Sequence, residues 1–148
     1  MYEKILVPVD GSETATLGLQ EAIKLAKLTG ATLKLMHILD ETSFMTSFEG
    51  GIGLTVEMLQ TIKHAGEQVL KDAVAQVEIA GVKVETDLIE SYSGRVSDLV
   101  TELARAWGAN LIVLGTHGRR GVRRMLLGSD AEQILRTAPV PVLLVRAQ

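Results

Sequence analysis

A chain of 148 residues is long enough to bury a core without staples, and its length is that of one domain. Its 15 basic and 18 acidic residues leave a formal net charge of −3, which excludes a global attraction to nucleic acid and leaves any anion binding to a local cluster. Cysteine is absent, which excludes disulfides and thiol chemistry and fits a reducing compartment; with aromatics at only 3% of the chain, the core must come from Val, Leu, Ile and Ala, a mixture that suits helices packed on buried strands.

The start, Met1-Tyr2-Glu3-Lys4, leads directly into an apolar run and carries none of the marks of a secretory signal. No apolar run approaches the ~18 residues that span a bilayer, so the expected location is the cytoplasm, without a membrane partner. Ile5, Leu6, Val7, Pro8 and Val9 read as a first strand, ended by the turn signal Asp10-Gly11-Ser12, which also holds a helix cap. Ala15, Leu19, Ala22, Ile23 and Ala26 then recur on one helix face until Gly30 closes the pattern. Thr32 to Leu39 is a second β-prone run, interrupted by His37.

From Asp40 to about Leu54 the composition turns to Thr, Ser and Gly with Phe44, Met45 and Phe48 among them, which predicts a long, mobile loop. Leu59, Ile62, Ala65, Val69, Ala73 and Val77 follow at helical steps and stop at Gly81. Val82, Val84, Thr86 and Leu88 alternate with charged residues as an edge strand does, and Glu90 to Gly94 reads as a polar turn. Val96, Leu99, Val100, Leu103, Ala104 and Trp107 give another helix face, with Trp107 expected in the core. Leu111 to Leu114 is an apolar strand, Ser129 to Ala138 a short helix, and Pro141 to Arg146 a last strand. Strict alternation of strands and crossover helices predicts an α/β domain over residues 1–148 with a doubly wound, five-stranded parallel sheet.

Ligands of such sheets settle beyond the carboxyl ends of the strands, where the strand order reverses. Two loops leave such ends with unusual composition: Pro8 to Ser12, and Gly115 to Ser129. In the second, glycines at 115, 118 and 128 permit positive φ angles and a close approach of the main chain to an oxyanion. Ser129, placed just before a helix, offers its hydroxyl and the free N–H groups of the first turn, and Arg119, Arg120, Arg123 and Arg124 add positive charge. Spacing alone leaves two readings open, a phosphate cradle or a tight turn beside a solvated basic face. Asp10 is likewise either a ligand residue or a plain turn residue. His117 has no nucleophile or second base near it, and His37 and His64 share no metal-ligand spacing with it, so neither catalysis nor a protein-held metal is expected. The arginines lack the stacking aromatics that RNA binding calls for.

Gly115, Gly118, Gly128 and Ser129 form a GxxG, nine residues, Gly-Ser pattern that resembles the ATP-binding signature of the universal stress protein family. The opening Lys4 to Ser12 and the closing Ala138 to Arg146 resemble the first and last strands of that family, so the resemblance runs from end to end. It implies a Rossmann-like sheet of the adenine nucleotide alpha hydrolase kind, in the order 3-2-1-4-5, with the tips of strands one and four side by side. It further implies that Pro8, Val9 and Asp10 line the adenosine end, Asp10 close to the ribose or a magnesium ion, and that Ile38 contacts adenine. Gly115, His117, Gly118, Arg119, Gly128 and Ser129 would hold the ribose and phosphates of ATP. Asp130 departs from this logic, since a carboxylate near phosphates is repulsive unless it points away or meets an arginine. The resemblance also implies a homodimer joined through Val142, Leu143, Leu144 and Val145, whose consecutive apolar residues at a sheet edge invite pairing with another chain.

There is no GxxxxGK[ST] and no GxGxxG after a strand, so neither a P-loop NTPase nor a dinucleotide site is expected. Three function classes follow: an ATP-binding stress-response switch or reservoir with slow or negligible turnover, a dimeric interaction module of the same fold that binds no nucleotide, and an enzyme, either a slow ATPase or a nucleotidyl-transfer protein. The first carries a further expectation, that nucleotide occupancy orders the 40–54 loop.

Overall fold

The computed structural model describes residues 1–40, 55–91, 94–116 and 127–147. Expectations for residues 41–54, for His117, Gly118 and Arg119, and for Arg120, Arg123 and Arg124 therefore lie outside the described residues. The elements run β1 (Lys4–Pro8), α1 (Glu13–Thr29), β2 (Thr32–Asp40), α2 (Val56–Ile79), β3 (Val84–Ser91), α3 (Val96–Trp107), β4 (Leu111–Gly115), α4 (Ser129–Thr137) and β5 (Val142–Val145).

The helix ends follow from local chemistry. Ser12 stays extended at the start of α1 and its hydroxyl accepts the Ala15 N–H at 3.3 Å. At the other end Gly30 turns left-handed at φ 76° and its N–H closes on the Ala26 carbonyl, as a residue without a Cβ does at low cost. Thr55 caps α2 in the same way through the Met58 N–H, and Gly108, at φ 74°, ends α3.

All pairings are parallel, and the strands lie in the order β3-β2-β1-β4-β5. Side chains alternate across this sheet, so each inner strand feeds two cores. Ile5, Val7, Leu33, Leu35, Leu111 and Val113 pack under Leu19, Ala22 and Ala26 of α1 and Leu70, Ala73 and Val77 of α2. On the opposite face Leu6, Met36, Ile112 and Leu114 pack under Val100 and Ala104 of α3 and Ala131 and Ile134 of α4. The sheet is thus doubly wound, as the alternation of elements predicts.

At the amino end of the sheet a side chain stitches the two central strands. Asn110 Oδ1 accepts the N–H groups of Glu3 and Lys4 at 3.0 and 2.9 Å, while the Asn110 N–H donates to the Lys4 carbonyl at 2.9 Å. Asn110→Ala removes an acceptor shared by two N–H groups that water can partly replace, and is expected to cost about 1 kcal/mol in urea unfolding.

Three sequence-based expectations need correction. Trp107 is half-buried rather than core: its Nε1–H donates to Glu85 Oε2 at 3.0 Å, and the ammonium groups of Lys4 and Lys34 stand 5.2 and 5.1 Å from the ring centroid. An indole with a donor to satisfy and cations over its ring gains more at this rim than in an apolar interior. Glu90 and Ser91, expected in a polar turn, belong instead to β3, which keeps pairing with β2 through them. The last helix starts at Ser129 as its expected range has it, but Ser129 is then the first helical residue and not the cap, and Gly128 occupies the capping position. The edge positions of β3 and β5 match expectation.

Candidate functional site

The connections leaving β1 and β4 depart in opposite directions. From β1 the chain winds by α1 toward β2, and from β4 by α4 toward β5, on the other face. Sheets whose adjacent strands diverge in this way bind ligands beyond the carboxyl ends of those strands. Pro8 lies at that end of β1. The Lys4 carbonyl points to β4 and the Val9 N–H to β2, so even-numbered residues of β1 turn their main-chain groups toward β4. Pro8 therefore presents to β4 a nitrogen that cannot donate. The β1–β4 ladder covers only Ile5↔Leu111 and Leu6↔Ile112, whereas β1–β2 pairing continues to Pro8↔Met36.

Past Pro8, Val9 is buried and its N–H donates to the Met36 carbonyl at 2.8 Å. Asp10 Oδ1 accepts the Ser12 N–H at 2.8 Å, a turn closed by its own side chain, and Gly11 adopts φ 80°. Asp10 thus fills the turn role; the turn delivers the chain to the capped start of α1 and leaves the Asp10 side chain half-buried at the strand tip. Ile38 sits half-buried on the face it shares with Met36, packed against the α3–α4 core.

Gly115 serves a purpose the sequence does not disclose. It has no positive φ, and a Cβ added to it would lie 2.5 Å from Thr14 C, 2.6 Å from Thr14 O and 2.8 Å from Ala15 N. The glycine lets the first turn of α1 rest on the tip of β4. Gly18, one turn along, faces the same place, its added Cβ falling 3.2 Å from Gly115 N. Gly128, at φ −59°, likewise does not use the positive φ that glycine permits. Because α1 follows the Asp10–Ser12 turn directly, this contact brings the β1 and β4 tips together.

On the far side of Gly115, the Thr116 N–H donates to the Val145 carbonyl at 3.0 Å and the Thr116 carbonyl accepts the Gly128 N–H at 2.8 Å. The second bond ties the start of α4 to the end of β4. Composition gives no hint of Thr116, since it acts through its main chain. Among the described residues no side chain caps α4; Ser129 and Asp130 are exposed in its first turn, and the Glu132 N–H is the one that returns to the Gly128 carbonyl. The positive end of the helix dipole and the first N–H groups, which a helix cannot satisfy internally, lie beside the end of β4. Of the residues named from sequence, Pro8, Val9, Asp10, Gly115, Gly128 and Ser129 gather at the β1–β4 mouth with Ile38 on the adjoining strand; His117, Gly118 and Arg119 lie outside the described residues. Among the described residues, no cluster of three His, Asp or Glu side chains could hold a metal ion.

A Rossmann-like α/β sheet of order 3-2-1-4-5, with its switch point between β1 and β4, defines the class of protein. The profile of the universal stress protein family matches residues 1–146, and the chain belongs to that family. Universal stress protein MJ0531 of Methanocaldococcus jannaschii is 35% identical over 147 residues, covering 99% of this chain and 83% of that protein. A universal stress protein family member from Burkholderia pseudomallei superposes with a TM-score of 0.79 at 33% identity, over 99% of this chain and 97% of the other. The universal stress protein of Archaeoglobus fulgidus, solved in complex with dAMP, superposes with a TM-score of 0.67 at 25% identity, over 97% and 98% of the two chains.

Proposed function

We propose that this chain binds ATP across the β1–β4 mouth and works as a nucleotide-dependent stress-response switch or reservoir with little or no hydrolysis. The observation that supports the reading is the Gly128 to Thr116 hydrogen bond of 2.8 Å, which holds a helix start without a side-chain cap among the described residues at the tip of β4, the neighbour of β1. An anion at that start gains from the N–H groups and from the helix dipole together. The dAMP complex of the Archaeoglobus fulgidus relative supports an adenine nucleotide as the ligand class.

In this reading Pro8, Val9 and Asp10 receive the nucleoside and Ile38 meets adenine. Gly115, His117, Gly118, Arg119, Gly128 and Ser129 hold ribose and phosphates. Magnesium would enter on the triphosphate, with Asp10 as the nearest carboxylate, since magnesium is commonly held by phosphates plus one or two carboxylates. Among the described residues no pair of groups suited to activating a water is recognisable at the mouth, and His117 has no nucleophile or second base near it in sequence, which is the ground for proposing slow or no turnover. The cytoplasm is the location in this reading, and a sequence free of cysteine fits a reducing compartment; among the described residues no helix is long and apolar enough to cross a membrane. Two copies would pair through β5, whose Val142, Leu143, Leu144 and Val145 are each left half-buried at the sheet edge.

Heating the purified protein and chromatographing the released small molecules, together with titration calorimetry against ATP, tests the reading; no adenine nucleotide in either experiment would end it. Ser129→Ala is expected to weaken ATP about tenfold, the loss of one hydroxyl bond to a charged phosphate, without shifting the thermal midpoint. Adenosine affinity should be unchanged by the same substitution.

A further inference from the structure

The imidazole of His37 is 6% exposed, on the face of β2 that carries Leu35 and Leu39. Its Nδ1 stands 2.7 Å from the Val9 carbonyl oxygen. A carbonyl only accepts, so Nδ1 carries the proton and donates. The Val9 N–H in turn donates to the Met36 carbonyl at 2.8 Å. Two consecutive residues of β2 thus hold both main-chain groups of Val9, one through its backbone and one through its side chain, one residue past the end of β1.

The Val9 carbonyl belongs to the planar unit that also contains the Asp10 N–H and Cα. Fixing that oxygen fixes the direction in which Asp10 leaves the strand and the turn that its Oδ1 closes on Ser12. The ring also has a seat prepared for it. A Cβ at Gly66 of α2 would come 2.9 Å from His37 Cδ2 and 3.3 Å from Nε2. A leucine at position 37 would continue the apolar face of β2 but would leave the buried Val9 oxygen without this donor, and such a loss is costly.

We propose that His37 is a positioning residue of the nucleotide site: from the face of the sheet opposite Pro8 and Ile38, it orients the Val9–Asp10 peptide and with it the turn that receives the nucleoside. The proposal rests on the ATP reading above and adds a residue whose ring lies on the far side of the sheet from the proposed ligand.

The test compares the full chain with its His37→Leu and His37→Asn variants, the asparagine amide keeping an N–H donor near the place of Nδ1. Loss of one buried bond behind the nucleoside end is expected to weaken ATP, ADP and AMP by the same factor, about tenfold, in the leucine variant, with most of the affinity kept in the asparagine variant. Amide exchange at Ser12 should quicken in the leucine variant only. A folded His37→Leu protein with unchanged affinities and unchanged Ser12 exchange overturns the proposal, as does a loss that grows with the number of phosphates. Nitrogen-15 spectra of the parent protein give a check that needs no variant, and a ring protonated at Nε2 alone overturns it too. If the parent binds none of the three nucleotides, the ATP reading falls, and exchange at Ser12 alone decides whether His37 holds the turn.

Discussion

Gly115→Val is expected to cost at least about 3 kcal/mol, the upper range for overpacking a closed contact. The first added carbon would meet Thr14 C at 2.5 Å and Ala15 N at 2.8 Å, which are main-chain atoms of a capped helix and cannot swing aside as the end of a long side chain can. Either α1 lifts from β4 or the tip of β4 bends, and both movements separate the two strand ends. Urea unfolding should show the loss in stability, and calorimetry should show any remaining ATP affinity falling with it. Gly18→Ala is the contrasting case. Its Cβ would lie 3.2 Å from Gly115 N, a distance that a small adjustment relieves, and alanine gains about 1 kcal/mol over glycine within a helix. The two glycines face one contact, yet Gly18→Ala should be near neutral. A Gly115→Val protein as stable as its parent would mean that α1 does not rest on β4 as described.

The same glycine shows where sequence reading stops. Gly115 was placed at the end of a strand by the apolar run before it, and the family resemblance placed that end beside Asp10. A glycine symbol cannot tell whether its missing Cβ serves a positive φ, a ligand or a neighbouring helix, and here a helix rests in the space it leaves. The switch from Ser129 to Gly128 at the helix cap is a one-residue matter of dihedral angles, for which glycine and serine are both acceptable. The continuation of β3 to Ser91 depends on its partner strand, and local composition at Glu90 and Ser91 favours a turn. Elements with strong periodicity and explicit stops, α1 between Ser12 and Gly30 above all, were legible to within a residue or two. His37 and Thr116 were not, because their parts are played on main-chain carbonyls, which every residue has.

Leu6→Ala carries the other large effect, about 3 kcal/mol within the usual range for emptying a leucine site. Leu6 is fully buried on the central strand, between Lys34 of β2 and Ile112 of β4 in register, and belongs to the core beneath α3 and α4. With strands on both sides and helices above, its surroundings cannot collapse into the space the lost isopropyl group leaves behind. Leu144 belongs to the same face but sits half-buried on β5 at the sheet edge. Leu144→Ala in a lone chain should cost about 1 kcal/mol, in proportion to the smaller area withdrawn from water. If β5 pairs with a second copy, dissociation is linked to unfolding and the apparent cost of Leu144→Ala must depend on protein concentration, whereas the direct packing loss at Leu6 does not. Unfolding midpoints of both variants and the parent, taken over a hundredfold range of concentration, separate the two effects. A concentration-independent parent and Leu144→Ala would leave β5 as a free edge and remove the dimer from the proposed function.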